Sequence, residues 1–177
     1  MKIGCKKMHL PDFLKEEWMK KTEIRYSKAE EIPILRKIIV EAYSPIEPIL
    51  GRKPRGMLET EEKLAERVKK NTMYSVLFEG NLIGTFTIEE NTNFGLMEVQ
   101  KVAIKEDIQN KGIGSFIMES AEHLIRLMEK KKVIVETYED HKKLVDFYLH
   151  RGYKIIHKRM RKGNIVIVME KNLWRED

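Results

Sequence analysis

A strand that runs into a glycine loop and on into a helix constrains this chain more than any other stretch. Met97 to Ile104 alternates apolar and polar residues, Lys105 to Lys111 is a polar connection, and Gly112 and Gly114 open an amphipathic run of helical period. Loop amides together with the partial positive charge of a helix N-terminus suit a phosphate group. The two glycines carry no Cβ, so a ligand can approach the backbone closely. A plain turn capping a core helix is the alternative, and the loop alone does not choose between them. Its spacing does remove two phosphate-binding classes. The pattern G-x-x-x-x-G-K followed by Ser or Thr is absent, and Ile117 stands where a dinucleotide fingerprint needs its third glycine.

Composition narrows the partners. The 177 residues suit one domain, expected over residues 22–177 behind an N-terminal extension, residues 1–21. No run of about 18 apolar residues exists, so no membrane partner is expected. The N-terminus lacks a secretory apolar segment, which points to a cytoplasmic location. Cys5 is the lone cysteine and the five histidines show no metal-ligand spacing, so no metal is expected. Half of the net charge of +6 lies in residues 1–21, where six lysines face Asp12, Glu16 and Glu17. The basic cluster Lys154, His157, Lys158, Arg159, Arg161 and Lys162 reads as the exposed side of a hairpin, with nucleic-acid contact the lesser reading. In the extension, Phe13, Leu14 and Trp18 fit one apolar helical stripe, either a docking helix or a frayed end, and Met19 is an alternative start.

The chain then reads as β, α, α, β, β, β, α, β, α, β, β. Strands are predicted at Thr22 to Tyr26, Met73 to Phe78, Leu82 to Glu89, Leu96 to Ile104, Val133 to Thr137, Tyr153 to Met160 and Ile165 to Met169. Helices are predicted at Glu31 to Tyr43, after Thr60, at Gly112 to Lys130 and at Asp140 to Arg151. Pro33 must lie in a first turn. Ser44 to Gly56, with three prolines and two glycines, reads as an irregular, stiffened loop.

Two motifs carry a resemblance. Gln109 to Gly114, Q-N-K-G-I-G after V-A-I-K-E-D-I, resembles the acetyl-CoA signature of the GNAT N-acetyltransferases: Gln or Arg, two residues, Gly, one residue, then Gly or Ala. Val145 to Tyr153, V-D-F-Y-L-H-R-G-Y, is similar to that family's C-terminal pattern of Tyr, three residues, Gly, then Phe or Tyr. The resemblance spans Thr22 to Leu173. It implies an α/β (α+β) GNAT fold, a central mixed, mostly antiparallel twisted sheet with helices on both faces and a splayed strand pair holding CoA.

The resemblance also implies roles. Val102, Ala103 and Ile104 would offer backbone groups to the pantetheine arm of acetyl-CoA. Gln109, Asn110, Lys111, Gly112, Ile113, Gly114 and Ser115 would cradle the pyrophosphate. The thioester would lie between strands 96–104 and 133–137, where a β-bulge would aim a backbone N–H at its oxygen. Tyr148 matches the tyrosine that protonates the departing thiolate. Glu98 matches the general base of one branch and Glu136 that of another, with Glu89 and Glu90 as third choices. Glu98, Gln100, Val102 and Ile104 would share one face of an undistorted strand. His141 stands where many members place an asparagine on the cofactor arm, and either makes that contact or caps its helix. The implied reaction is direct attack of a primary amine on acetyl-CoA in a ternary complex. The acceptor is a small-molecule amine, an amino acid or a peptide N-terminus, received by Tyr43 to Arg55 and the last hairpin. Arg52, Lys53 and Arg55 would disfavour a polycation and favour a carboxylate-bearing acceptor, serve the CoA phosphates, or simply solvate the loop. Pairing through an edge strand or the C-terminal hairpin into a homodimer is compatible. A non-catalytic acyl-CoA-binding regulatory domain and a basic nucleic-acid-associated protein remain as other readings.

Overall fold

The computed structural model describes residues 17–109 and 112–174. Its strands are β1 (Thr22–Tyr26), β2 (Met73–Phe78), β3 (Asn81–Asn91), β4 (Leu96–Ile104), β5 (Lys132–Tyr138), β6 (Lys154–Arg161) and β7 (Asn164–Asn172). Its main helices are α1 (Ile32–Tyr43), α2 (Glu61–Lys69), α3 (Ile113–Leu127) and α4 (Lys142–His150). The expected order of elements holds throughout. The strands form one sheet, β1-β2-β3-β4-β5-β7-β6, antiparallel except between β4 and β5. A parallel pair needs a crossover, and α3 supplies it.

Helices cover both faces. Ile32, Leu35, Ile38 and Ile39 of α1 and Leu64 of α2 pack over Met73 and Ala103. On the other face, Ile117, Met118, Ala121 and Ile125 of α3 join Tyr148 of α4 against Phe86, Val99 and Val133. Pro33 lies in the first turn of α1, where its missing N–H is not needed. Of the expected N-terminal stripe, Phe13 and Leu14 lie outside the described residues. Trp18 stacks on Phe78 at 5.3 Å and meets Phe116 edge-on at 5.6 Å.

The segment after α1 is more ordered than a proline-rich loop suggests. It forms a 3-10 turn at Ser44–Ile46, one α-turn at Glu47–Leu50 and another 3-10 turn at Arg55–Leu58. Pro45 and Pro48 each sit in a first turn, so the prolines start helical turns here. Arg52 staples the segment to the β6–β7 hairpin. Its Nε donates to the Asn164 side chain at 2.9 Å and its Nη2 to the Arg161 carbonyl at 3.1 Å. Its guanidinium also lies over the Tyr138 ring at 5.5 Å.

Strand β4 is not regular. Thr85 pairs with Ala103 and Thr87 with Gln100, so Lys101 and Val102 together oppose Phe86. This is a β-bulge, with Lys101 in the left-handed region at φ 54°. The bulge reverses the facing of the strand and corrects the expectation of one shared face. Glu98 lies opposite Glu89, and Glu89 bonds Arg67 of α2. Val102 and Ile104 instead pack toward α3 and α4. Beyond Met97–Val133 and Glu98–Ile134, β4 makes no pairing with β5, which stays paired with β7 along its length. The two strands therefore part just past Glu98.

Two local features hold the bulge. A Cβ on Gly84 would come within 2.8 Å of the Ala103 carbonyl oxygen, so only glycine lets β3 pass. Lys101 is 7% exposed and bonds Glu59 at 2.9 Å, which also pairs with Arg67. The clash at Gly84 sets an expected outcome. Gly84→Ala should lower the unfolding free energy by about 1–3 kcal/mol through overpacking, measured by urea denaturation.

Candidate active site

A cleft of about 1000 Å³ opens where β4 and β5 part. The glycine loop and the start of α3 line one end, and Tyr43, Arg55, Tyr138 and Arg161 line the other. Glu98, Glu136, His141 and Tyr148 line it between them.

The loop end is built for an anion. Gly112 takes φ 81° at the N-cap of α3, a conformation L side chains rarely adopt. Among the described residues no side chain caps this helix, and its first turn holds no acidic residue, so its N-terminal amides face a ligand. A Cβ on Gly114 would meet only Ile104 and Phe147 at ordinary contact distances of 3.8 and 3.9 Å. The protein's own packing therefore does not demand glycine at 114, whereas a ligand lying close to the backbone would. Gln109 is turned inward, its amide donating to the Ile104 carbonyl at 2.8 Å, and it fastens the loop to the end of β4. Ser115 lines the cleft, while Ile113 and Ala103 bury their side chains in the core and can offer only backbone groups. Asn110 and Lys111 lie outside the described residues.

His141 begins α4 without capping it through its side chain, so the capping alternative is not realised. Its Nδ1 is buried and has no hydrogen-bond partner among the described residues. Burial lowers the ring's pKa, with Lys143 adding to the shift. A neutral imidazole nitrogen without a partner on a cleft wall is a group that a ligand would satisfy.

The two candidate bases differ sharply. Glu136 accepts bonds from Arg159 Nη2 on both oxygens, at 2.8 and 2.7 Å. Glu98 is 7% exposed, and among the described residues its only donors are the neutral side chains of Asn91 at 2.8 Å and Gln100 at 3.4 Å. Burial pushes its pKa up from 4.5 to about 7, the Asn91 bond opposes this, and the nearby Glu136 charge adds to it. Glu89 is engaged by Arg67 and Thr72.

Tyr148 is 5% exposed and edges onto the rings of Phe147 and Tyr153. Burial raises its pKa, so the phenol keeps its proton at neutral pH. Its hydroxyl has no protein partner among the described residues that line the cleft. At the far end, Gly56 lets the Tyr43 ring lie against the backbone, since a Cβ there would come within 2.3 Å of the ring. Lys158 and Arg159 of the expected basic patch are paired with Glu139 and Glu136, which leaves a weaker cationic face than the sequence suggests.

Sequence reasoning missed Trp18, Tyr138 and Phe147 as cleft residues, and Asn91 as the partner of Glu98, whereas Arg161 lies in the last hairpin expected on the acceptor side. Asn91 reaches Glu98 through the β3–β4 register, and no spacing in the chain signals it.

The model of the acetyltransferase (GNAT) family matches residues 33–153. No curated protein matches this chain by sequence. Several solved structures share its fold at low identity. The paiA N-acetyltransferase of Thermoplasma acidophilum, in complex with coenzyme A, is 18% identical with a TM-score of 0.70, covering 85% of this chain and 98% of that one. The ribosomal-protein-S18-alanine N-acetyltransferase of Escherichia coli is 12% identical with a TM-score of 0.70, covering 88% and 96%. The yncA protein of Salmonella typhimurium, with its cofactor acetyl-CoA, is 11% identical with a TM-score of 0.67, covering 88% and 96%.

The environment of Glu98 can be checked directly. Its carboxyl should titrate near pH 7, and Asn91→Ala should move the midpoint upward by removing the bond that favours the carboxylate. Carbon-detected NMR of labelled glutamate reads both values. A midpoint in the ordinary glutamate range would contradict the burial argument.

Proposed function

The chain belongs to the GNAT acetyltransferase family, and on that premise we propose that it transfers the acetyl group of acetyl-CoA to a primary amine by direct attack in a ternary complex. The family uses acetyl-CoA. The observation that carries the catalytic reading is the buried, nearly unpartnered carboxyl of Glu98, pushed up to about 7 in the same cleft as Tyr148 and the glycine loop.

The residues fit the donor. Backbone groups of Val102 and Ile104, on the stretch of β4 that has no β5 partner, would hold the pantetheine arm as an added strand does. Gly112 to Ser115 and the α3 N-terminus would hold the pyrophosphate, with His141 Nδ1 bonding the arm. Bound acetyl-CoA supplies an activated acetyl thioester.

The protein's groups supply the rest. Glu98, as a carboxylate, accepts the proton lost by the amine, directly or through water. The amine nitrogen bonds to the acetyl carbon, and a backbone N–H of the Lys101 bulge donates to the oxygen that gains negative charge. When the carbon–sulfur bond breaks, Tyr148 gives its proton to the thiolate. Glu136 is the poorer base, because taking up a proton would weaken its ion pair with Arg159.

The sign of the pH dependence follows from the raised pKa. Below about pH 7 Glu98 holds a proton and cannot act as a base, so kcat/KM should rise with pH through about 7 and then level. Glu98→Gln should remove that rise and lower kcat by roughly 100-fold. Tyr148→Phe should lower kcat by a similar factor of roughly 100 while acetyl-CoA binding, followed by calorimetry, is kept. Thiol release over a panel of amines measures the rates, and an enzyme whose pH profile ignores Glu98→Gln has another base.

A further inference from the structure

The acceptor end of the cleft holds two cations that the fold leaves unmatched. Arg55 starts the last 3-10 turn of the 44–58 segment, and Arg161 ends β6 at the hairpin turn. Both line the cleft with Glu98 and Tyr138. Among the described residues, neither guanidinium lies within 4 Å of a carboxylate or donates a side-chain hydrogen bond. Four neighbouring cations are engaged elsewhere. Arg52 bonds the hairpin and covers Tyr138, Arg159 holds Glu136, and Lys101 and Arg67 hold Glu59. Burial lowers the pKa of Arg161, and repulsion from nearby Arg55 and Arg159 adds to the depression. Two fork-shaped donors on one cleft, Arg161 half-buried and Arg55 exposed at its mouth, are matched best by a planar anion that accepts bonds in pairs. The walls beside them, Tyr43, Ile46 and Tyr138, suit a small apolar body.

We infer that the acceptor is a small primary amine that carries a carboxylate, of the amino-acid class, with its carboxylate held by Arg55 and Arg161 and its amine turned to Glu98. This rests on the acetyl-transfer reading above. The same arginines disfavour a polyamine, whose distal ammonium would meet like charge. Arg52 and Lys53, the other cations of the segment, take no part. Arg52 is committed to the hairpin, and Lys53 is exposed and outside the cleft.

The test uses the full chain, acetyl-CoA and matched triads of acid, amide and decarboxylated amine built on skeletons from alanine to phenylalanine, with a polyamine and an N-terminal peptide alongside. The acid of the best skeleton should exceed its amide in kcat/KM by at least about tenfold, the worth of one charge-assisted hydrogen bond. Arg161→Gln and Arg55→Gln should each pull that ratio toward one, mainly through KM, and Lys53→Gln should leave it in place. Equal turnover of acid and amide overturns the inference, as does a ratio that survives both arginine variants. Turnover of the polyamine or the peptide alone overturns it while leaving acetyl transfer standing. No turnover of any amine, with acetyl-CoA bound, overturns both readings.

Discussion

The site depends on one irregularity, the bulge that places Lys101 in the left-handed region. A non-glycine residue there is strained by about 1 kcal/mol or more and persists only where its surroundings over-determine it. Here the constraint is a buried chain of charge. Lys101 bonds Glu59, Glu59 bonds Arg67, and Arg67 bonds Glu89, which pairs across the sheet with Glu98. Losing Glu59 would leave the buried charge of Lys101 without its partner, a larger cost than the strain. The network thus ties the bulge, the α1–α2 face and the register of Glu98 into one unit.

From that bulge the rest follows. Reversal of facing puts Glu98 on one side of β4 and the side chains of Val102 and Ile104 on the other. The strand turns away from β5, which remains bound to β7, and the gap becomes the cleft. A regular β4 would pair with β5 to its end and close the site.

Electrostatics then sorts residues that look alike in the chain. Glu136 and Glu98 both reach the cleft, but among the described residues only Glu136 is bonded by a guanidinium. Glu98 has an amide donor and little solvent, so its neutral form is favoured at mildly acidic pH. That arrangement costs stability. The folded chain holds the proton more tightly than the unfolded one, so stability falls as pH rises from about 4.5 to about 7. Arginines sort the same way. Arg52 and Arg159 complete structural contacts, whereas Arg55 and Arg161 are left facing the cleft.

What the sequence determined by itself is local in origin. Alternation in Met97 to Ile104, the 3.6-residue period after Gly114 and glycines at hairpin turns produced every strand and the four main helices in order, because each depends on neighbours within a few residues. The glycine loop was legible for the same reason, since its conformation is a property of Gly112 itself. Tertiary structure alone decided the rest. The bulge exists because Gly84 passes the Ala103 carbonyl and Glu59 reaches Lys101, contacts between residues far apart in the chain. Proline spacing in 44–58 suggested an irregular loop, but Arg52 and the hairpin hold it in helical turns. Which glutamate keeps its proton, and which arginines stay unpaired, was set by partners that only folding brings together. A charge's environment depends on what surrounds it in space, and a sequence lists only what precedes and follows it.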